Sequence, residues 1–286
     1  MTILKNRRGQ RRHNTLGVPF IFFGRMNMKK TFAIIAAVVM GLSLVGCSKK
    51  SDEKVLRIGM EIGYPPFEYY AEDGKTPSGF DVQLGKAIAD KLGYKVEYVD
   101  TAWDGIFAGL DTDKYDVIMS ATTITEERLQ NYAFSTPYIG NGQAIILAKN
   151  STLNITKPED LTGMRVGYQA ETTSDIFMTK KAAEGLKFEP EEYDKVMNAY
   201  DDLKLGRCDA VCSDSLVAVS YLGKPDTEYK QVWAGTPDEY FGVCIKKSNT
   251  ELVDKVNKAL EELKADGTLK QIYLNVFGVD MSDSIK

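Results

Sequence analysis

A short pattern occurs twice in this chain and limits how it can fold. Leu110 followed by Asp116-Val117-Ile118-Met119-Ser120 returns as Leu203 followed by Asp209-Ala210-Val211-Cys212-Ser213, at a constant offset of 93 residues. Each copy reads as helix, turn, buried strand and terminal serine. Two such units imply two α/β halves, and 286 residues hold enough material for two packed cores. Equivalent strand ends then bring different chemistry to one cleft, because Ser120 is followed by Ala121 and Ser213 by Asp214. A plain helix-capping role would also account for Asp214.

In the first unit a strand over 55–60 runs into Glu61 and then Tyr64-Pro65-Pro66-Phe67, where adjacent prolines forbid a helix and stiffen the loop. Phe67 is expected in the core, and Tyr64 at the core edge or in a pocket wall. Apolar residues at 84, 87, 88 and 92 predict a helix stopped by Gly93. A strand over 94–99, a short helix from Trp103 and a strand over 116–120 complete the unit. Strands alternating with helices argue for a mainly parallel sheet, whose ligands sit beyond the strands' C-terminal ends. Glu61, Trp103 and residues 120–123 reach that rim, although Trp103 suits the core equally well.

After Ser120 the chain turns polar and starts a new helix. Thr123 or Thr125 is placed to cap it, Glu126 and Glu127 suit its first turn, and unpaired N–H groups there favour an anion. Arg128 adds a planar fork that can hold a carboxylate through two parallel bonds. An ordinary cap and a surface ion pair would explain the same residues.

The second unit opens with a strand over 144–148 and a proline-led turn at Pro158, followed by a strand over 165–168. The polar stretch Gln169-Ala170-Glu171-Thr172-Thr173 then leads into a helix, with Thr172 and Thr173 at a second start with free N–H groups. A strand over 237–245 is placed to cross back to the first half, so that two crossings make a hinge. Amphipathic helices over 250–265 and 269–276 read as core packing.

Charge and cysteine content narrow the function. Eight of the 36 basic residues and none of the 40 acidic ones precede Cys47, which leaves 28 against 40 beyond it, near −12. That is the wrong sign for holding nucleic acid. The only histidine, His13, lies in the same leading segment, so the body has no Ser-His-Asp or Cys-His centre and no His-ligated zinc. No metal or cofactor is expected. Cys208, Cys212 and Cys244 form no C-x-x-C pair, and Cys208 and Cys212 would lie too far apart on an extended segment to bridge.

Lys29-Lys30 and the apolar run over 31–46 have the form of a secretory signal, too short for a stable membrane span. Such a signal could start at Met26 or Met28, so residues 1–25 are expected to reflect an upstream start codon. The run ends in Leu44-Val45-Gly46-Cys47, which resembles the lipobox of bacterial lipoproteins and implies a lipid on Cys47. Residues 47–54 read as a tether.

Tyr64-Pro65-Pro66-Phe67, Gly79-Phe80-Asp81-Val82, Thr123-Ile124-Thr125-x-x-Arg128 and Phe134-Ser135-x-Pro137-Tyr138 occur in this order over about 55–278. Together they resemble the family 3 solute-binding proteins, the extracytoplasmic receptors of polar amino-acid ABC importers. The resemblance implies a two-lobed, type II periplasmic-binding-protein fold. Each lobe would be a mainly parallel sheet flanked by helices, with lobe I from 55–143 and 243–286 and lobe II from 144–242. It implies that Arg128 binds the α-carboxylate with Thr123 and N–H groups near Thr172 and Thr173, and that Asp214 binds the α-ammonium with the Ala121 carbonyl nearby. Tyr64 and Trp103 would wall the side chain, Glu61 would meet its polar or cationic end, and Gln169 would contact it. The loop Gln169-Ala170-Glu171 departs from the commoner glycine-containing version, which affects the geometry around Glu171. A monomer delivering its cargo to a membrane permease is the function implied, without catalysis. Two acids, Glu61 and Asp214, exceed what a zwitterion needs, so arginine, lysine, ornithine or histidine is favoured, with glutamine or cystine as the neutral alternative. The same fold serves periplasmic cyclohexadienyl dehydratases, where Glu61 or Glu171 would be the acid, and a ligand-binding sensor lipoprotein is a third reading.

Overall fold

In the computed structural model, which describes residues 53–285, the alternating elements form two five-stranded sheets. The leader, Cys47 and most of the tether lie outside the described residues.

β1 (Val55–Met60) is followed by a small hairpin, β2 (Tyr69–Tyr70) and β3 (Pro77–Ser78), then by β4 (Lys95–Asp100), β5 (Val117–Ile118) and β6 (Tyr132–Phe134). β7 (Ile139–Asn141) crosses to the second lobe, which holds β8 (Gln143–Ala148), β9 (Arg165–Gln169), β10 (Glu189–Tyr193), β11 (Ala210–Asp214) and β12 (Tyr229–Ala234). β13 (Glu239–Phe241) crosses back and β14 (Cys244–Lys246) rejoins the first sheet. The sheet orders are β4-β1-β5-β14-β6 and β10-β9-β11-β8-β12.

Alternation suggested mainly parallel sheets, but both are mixed. Three strands in each are parallel, β4-β1-β5 and β10-β9-β11, and the remaining pairings are antiparallel. The cause is the hinge: β8 comes directly from the first crossing and β14 directly from the second, so each enters its sheet against the direction of the βαβ strands.

The repeat at offset 93 has a structural counterpart at the foot of each sheet. Arg57 Nη2 meets Asp116 Oδ1 at 2.6 Å, and Arg165 Nη2 meets Asp209 Oδ1 at 2.8 Å. In both lobes the aspartate also accepts the arginine's own backbone N–H, at 2.9 Å. These forks are partly solvated, so each adds little to the stability of its lobe.

Phe67 is fully buried, as expected, and its ring lies 5.3 Å from Phe241 and 6.0 Å from Phe80. This aromatic cluster fastens the returning strand β13 to the first lobe. Gly79 makes the loop possible: φ is 124°, and a Cβ there would collide with the Phe67 carbonyl. The helix Thr250–Ala265 buries Leu252, Val256, Ala259, Leu260 and Leu263, and Cys208, Cys212 and Cys244 are buried and free.

Candidate functional site

The C-terminal ends of β1, β5, β9 and β11 converge where the lobes meet, around a small cavity of about 20 Å³. Its lining consists of the eleven residues singled out above, from Glu61 and Tyr64 to Asp214. The lobes are closed over it. Tyr64 donates its hydroxyl to Asp214 Oδ2 at 2.6 Å, Gln169 Nε2 donates to Glu61 Oε2 at 2.7 Å, and Trp103 Nε1 donates to the Glu171 carbonyl at 3.1 Å.

Arg128 makes no ion pair among the described residues. It projects from the short helix Glu126–Asn131 and lies across the rings of Trp103 and Phe107, at 5.3 and 5.2 Å. Its side chain donates to the Thr123 carbonyl at 3.0 Å, and no carboxylate among the described residues pairs with it. Burial holds its pKa below the usual arginine range, yet a guanidinium stays charged. A cation held in apolar, aromatic surroundings without a counter-ion is a site for an anion from outside.

The helix start itself contributes less than expected. The helix spans six residues, and the Thr125 side chain already takes the Arg128 N–H at 3.1 Å. Thr123 does not cap; its hydroxyl faces Glu239 Oε2 at 3.4 Å. Thr172, at the N-cap of the helix Thr173–Ala183, turns its hydroxyl back to the Gln169 carbonyl at 2.7 Å, which leaves the helix start uncapped by that side chain.

Asp214 faces the cavity from the second lobe. It precedes a helix, but its carboxylate does not cap it. The oxygens instead accept from Tyr64, from Asn141 Nδ2 at 2.7 Å and from Gln143 Nε2 at 3.1 Å. Burial, then the charge of Glu239, push its pKa up to about 7 against the pull of those three bonds. Glu61 is also raised by burial, with the Gln169 bond and Lys195 opposing, and its Oε1 has no partner among the described residues.

Behind the rim lie two buried acids that sequence reasoning did not assign. Ser120 Oγ accepts from the Glu61 N–H at 3.0 Å and donates to Glu68 Oε1 at 2.7 Å. Ala121, with a left-handed φ of 45°, donates its N–H to Asp81 Oδ2 at 2.7 Å. Glu68 and Asp81 thus hold the turn at Ser120-Ala121, and each keeps one buried oxygen unpaired among the described residues. Glu171 is itself left-handed at φ 60°, so it carries backbone strain that a glycine there would avoid.

These raised acids predict a pH dependence of stability. Asp81 and Asp214 are pushed up to about 7, and burial also raises Glu61 and Glu68. Between the unfolded and folded pKa values the folded protein binds more protons, so this contribution is full below about pH 4 and is lost as pH rises through 7. Thermal melts of the ligand-free protein should therefore give a higher Tm at about pH 5 than at about pH 8. A higher Tm at the alkaline value would contradict the assignment.

Two α/β lobes that close on a small cavity between facing, oppositely charged side chains define a hinged binding protein. The chain belongs to the bacterial extracellular solute-binding proteins, family 3, whose family model matches residues 56–279. It is 31% identical over 265 residues to the L-cystine-binding protein TcyJ of Escherichia coli K12, covering 91% of this chain and 97% of that protein. The L-arginine-binding protein of Pseudomonas aeruginosa is 30% identical over 262 residues, with 89% and 99% coverage. Among solved structures, an ancestral arginine-binding protein bound to arginine superposes with a TM-score of 0.74 at 42% identity, covering 79% of this chain and 99% of that one. The ancestral amino-acid-binding protein AncCDT-1, a precursor of cyclohexadienyl dehydratase, gives 0.71 at 36% identity, with 78% and 95% coverage.

Proposed function

We propose that this protein captures a polar, preferentially basic L-amino acid outside the cytoplasm and passes it to the permease of an ABC importer. Membership of an extracellular solute-binding family and the cystine- and arginine-binding relatives support that reading. The observation that carries it is the Arg128 guanidinium, without a carboxylate partner among the described residues, which shares one cavity with the Asp214 carboxylate of the other lobe. Arg128, Thr123 and the N–H groups near Thr172 and Thr173 take the α-carboxylate. Asp214 and the Ala121 carbonyl take the α-ammonium. Tyr64 and Trp103 enclose the side chain, and Glu61 with Gln169 meets its far end. Three or four charge-assisted bonds of about 1.5–3 kcal/mol each, less the cost of association, give a Kd of about micromolar order.

Calorimetry with the twenty amino acids tests this. Arginine or another basic amino acid should bind tightest; tight binding of glutamate with none of arginine would overturn the preference. Glu61→Gln should mainly shift the ranking toward neutral ligands, by about 10-fold, since it removes one charge from the side-chain end. A uniform loss for all ligands would count against that role.

A lipid on Cys47 would hold the receptor at the membrane. Cys47→Ala should move the protein from the membrane fraction to the soluble fraction, and retention in the membrane would refute anchoring there.

The likeness to a dehydratase precursor favours one second reading, in which Glu61, raised by burial, acts as a general acid on a cyclohexadienyl acid. Turnover of prephenate or arogenate would establish it.

A further inference from the structure

The hinge carries a carboxylate to which the binding scheme gives no task. Glu239 opens β13, and that strand is fixed to the first lobe. Phe241 packs on Phe67, the Ile124 N–H donates to the Tyr240 carbonyl at 2.8 Å, and the Gly242 N–H donates to the Thr122 carbonyl at 3.1 Å. The Glu239 side chain points the other way. Its Oε1 accepts from Gln143 Nε2 at 2.8 Å and its Oε2 from the Thr173 hydroxyl at 2.9 Å, both in the second lobe. The same Oε2 lies 3.4 Å from the Thr123 hydroxyl of the first lobe.

Gln143 extends this contact to the cavity. Its amide nitrogen, held by Glu239, also donates to Asp214 Oδ1 at 3.1 Å, and its amide oxygen accepts from Ser174 at 2.7 Å. One amide therefore bridges the hinge carboxylate and the cavity carboxylate, with its orientation set by Ser174 on one side and two anions on the other. Gln143 lies beside Glu239, two residues past its strand partner Asn141, so that bond is built into the hinge, whereas the bond to Thr173 runs from a strand tied to the first lobe to a helix start of the second and depends on the lobes being closed.

We propose that Glu239 is a positioning residue for capture: it latches the closed lobes through Thr173 and, through Gln143, holds Asp214 facing the ligand. The ligand part of this inference rests on the amino-acid reading above. The Thr123 hydroxyl has one proton, and its contact with Glu239 is long and weak, so an arriving α-carboxylate can take that proton without undoing the two short bonds. The charge of Glu239 also lies close enough to Asp214 to favour a cation there.

The test compares wild type with Glu239→Gln, which keeps size and removes charge, and Glu239→Ala, which removes both. Calorimetry and stopped-flow with arginine, glutamine and cystine read the effect, and thermal melts identify the folded variants. A latch that forms after encounter acts on dissociation, so every Kd should rise by one common factor. That factor should be about ten for Gln and about a hundred for Ala, mostly through koff. If the alanine variant does not fold, the glutamine variant decides. Unchanged Kd values, or a change in the ranking of ligands, would overturn the proposal, the latter because it marks a direct ligand contact. Should wild type bind no amino acid, the functional reading fails by itself. The latch is then judged on the ligand-free radius of gyration, where a larger value in the variant supports it and an equal value overturns it.

Discussion

Replacing Arg128 with alanine is expected to raise the Kd for every amino acid by about 100- to 1000-fold. The guanidinium lies in the cavity wall, where among the described residues it makes one hydrogen bond, to the Thr123 carbonyl, and has two aromatic rings beside it. It lines the same cavity as Asp214. Without it, a ligand carboxylate would be buried in a closed cleft with no counter-charge, which costs about 2–5 kcal/mol. Lysine should rescue little, since a point charge cannot form the paired bonds of a planar fork. The fold should tolerate the change, because it removes a cation that burial already disfavours. Ligand-free Tm is therefore expected to hold or rise while calorimetry shows binding lost. An Arg128→Ala protein that binds amino acids as wild type does would remove the basis for the carboxylate site.

Asp214→Asn should weaken binding by about 100-fold, for a complementary reason. Three donors converge on this carboxylate, from Tyr64, Asn141 and Gln143. An asparagine offers one oxygen and turns an NH2 group toward at least one of those donors, so the site loses its charge and gains an unpaired buried donor. The pH profile separates this from simple damage. Burial and Glu239 push Asp214 up to about 7, and only the ionised form attracts an ammonium. Wild-type affinity should then fall about tenfold for each pH unit below 7, as the carboxylate takes up a proton that the ligand must displace. Asp214→Asn should bind weakly and show no such slope. A wild-type affinity that is flat between about pH 5 and 8 would contradict the role.

Much of this was legible in the chain because local patterns and global fold agree. The paired aspartates Asp116 and Asp209, offset by 93, announced two similar units, and both turn out to anchor an arginine fork at the same place in their sheets. Asp214 and Glu61 stand at or just beyond strand ends, where an α/β layout exposes side chains to a cleft, so their placement follows from topology, and Arg128 reaches the same cleft from the helix Glu126–Asn131 that follows β5. What sequence did not reveal depends on contacts made across long separations. Gln143 opens an otherwise apolar strand, QAIILA, and a polar residue there was a signal in itself; its partners at 214 and 239 become visible only once the hinge brings them together. Glu68 and Asp81 lie within or beside recognisable motifs, yet nothing in the spacing indicates that both are wholly buried beneath Ser120 and Ala121. Thr123 and Thr125 were equivalent as caps on paper, and geometry chose Thr125 because its side chain alone reaches the Arg128 N–H.

The most direct measurement uses ligands in place of mutants. Calorimetry should compare the tightest-binding amino acid with its analogue lacking the α-carboxylate and its analogue lacking the α-amine. If a cation in one lobe and an anion in the other clasp the two ends of a zwitterion, removing either group should cost at least about 100-fold in Kd, corresponding to about 2.8 kcal/mol. A decarboxylated or deaminated analogue that binds as tightly as the parent amino acid would contradict the account.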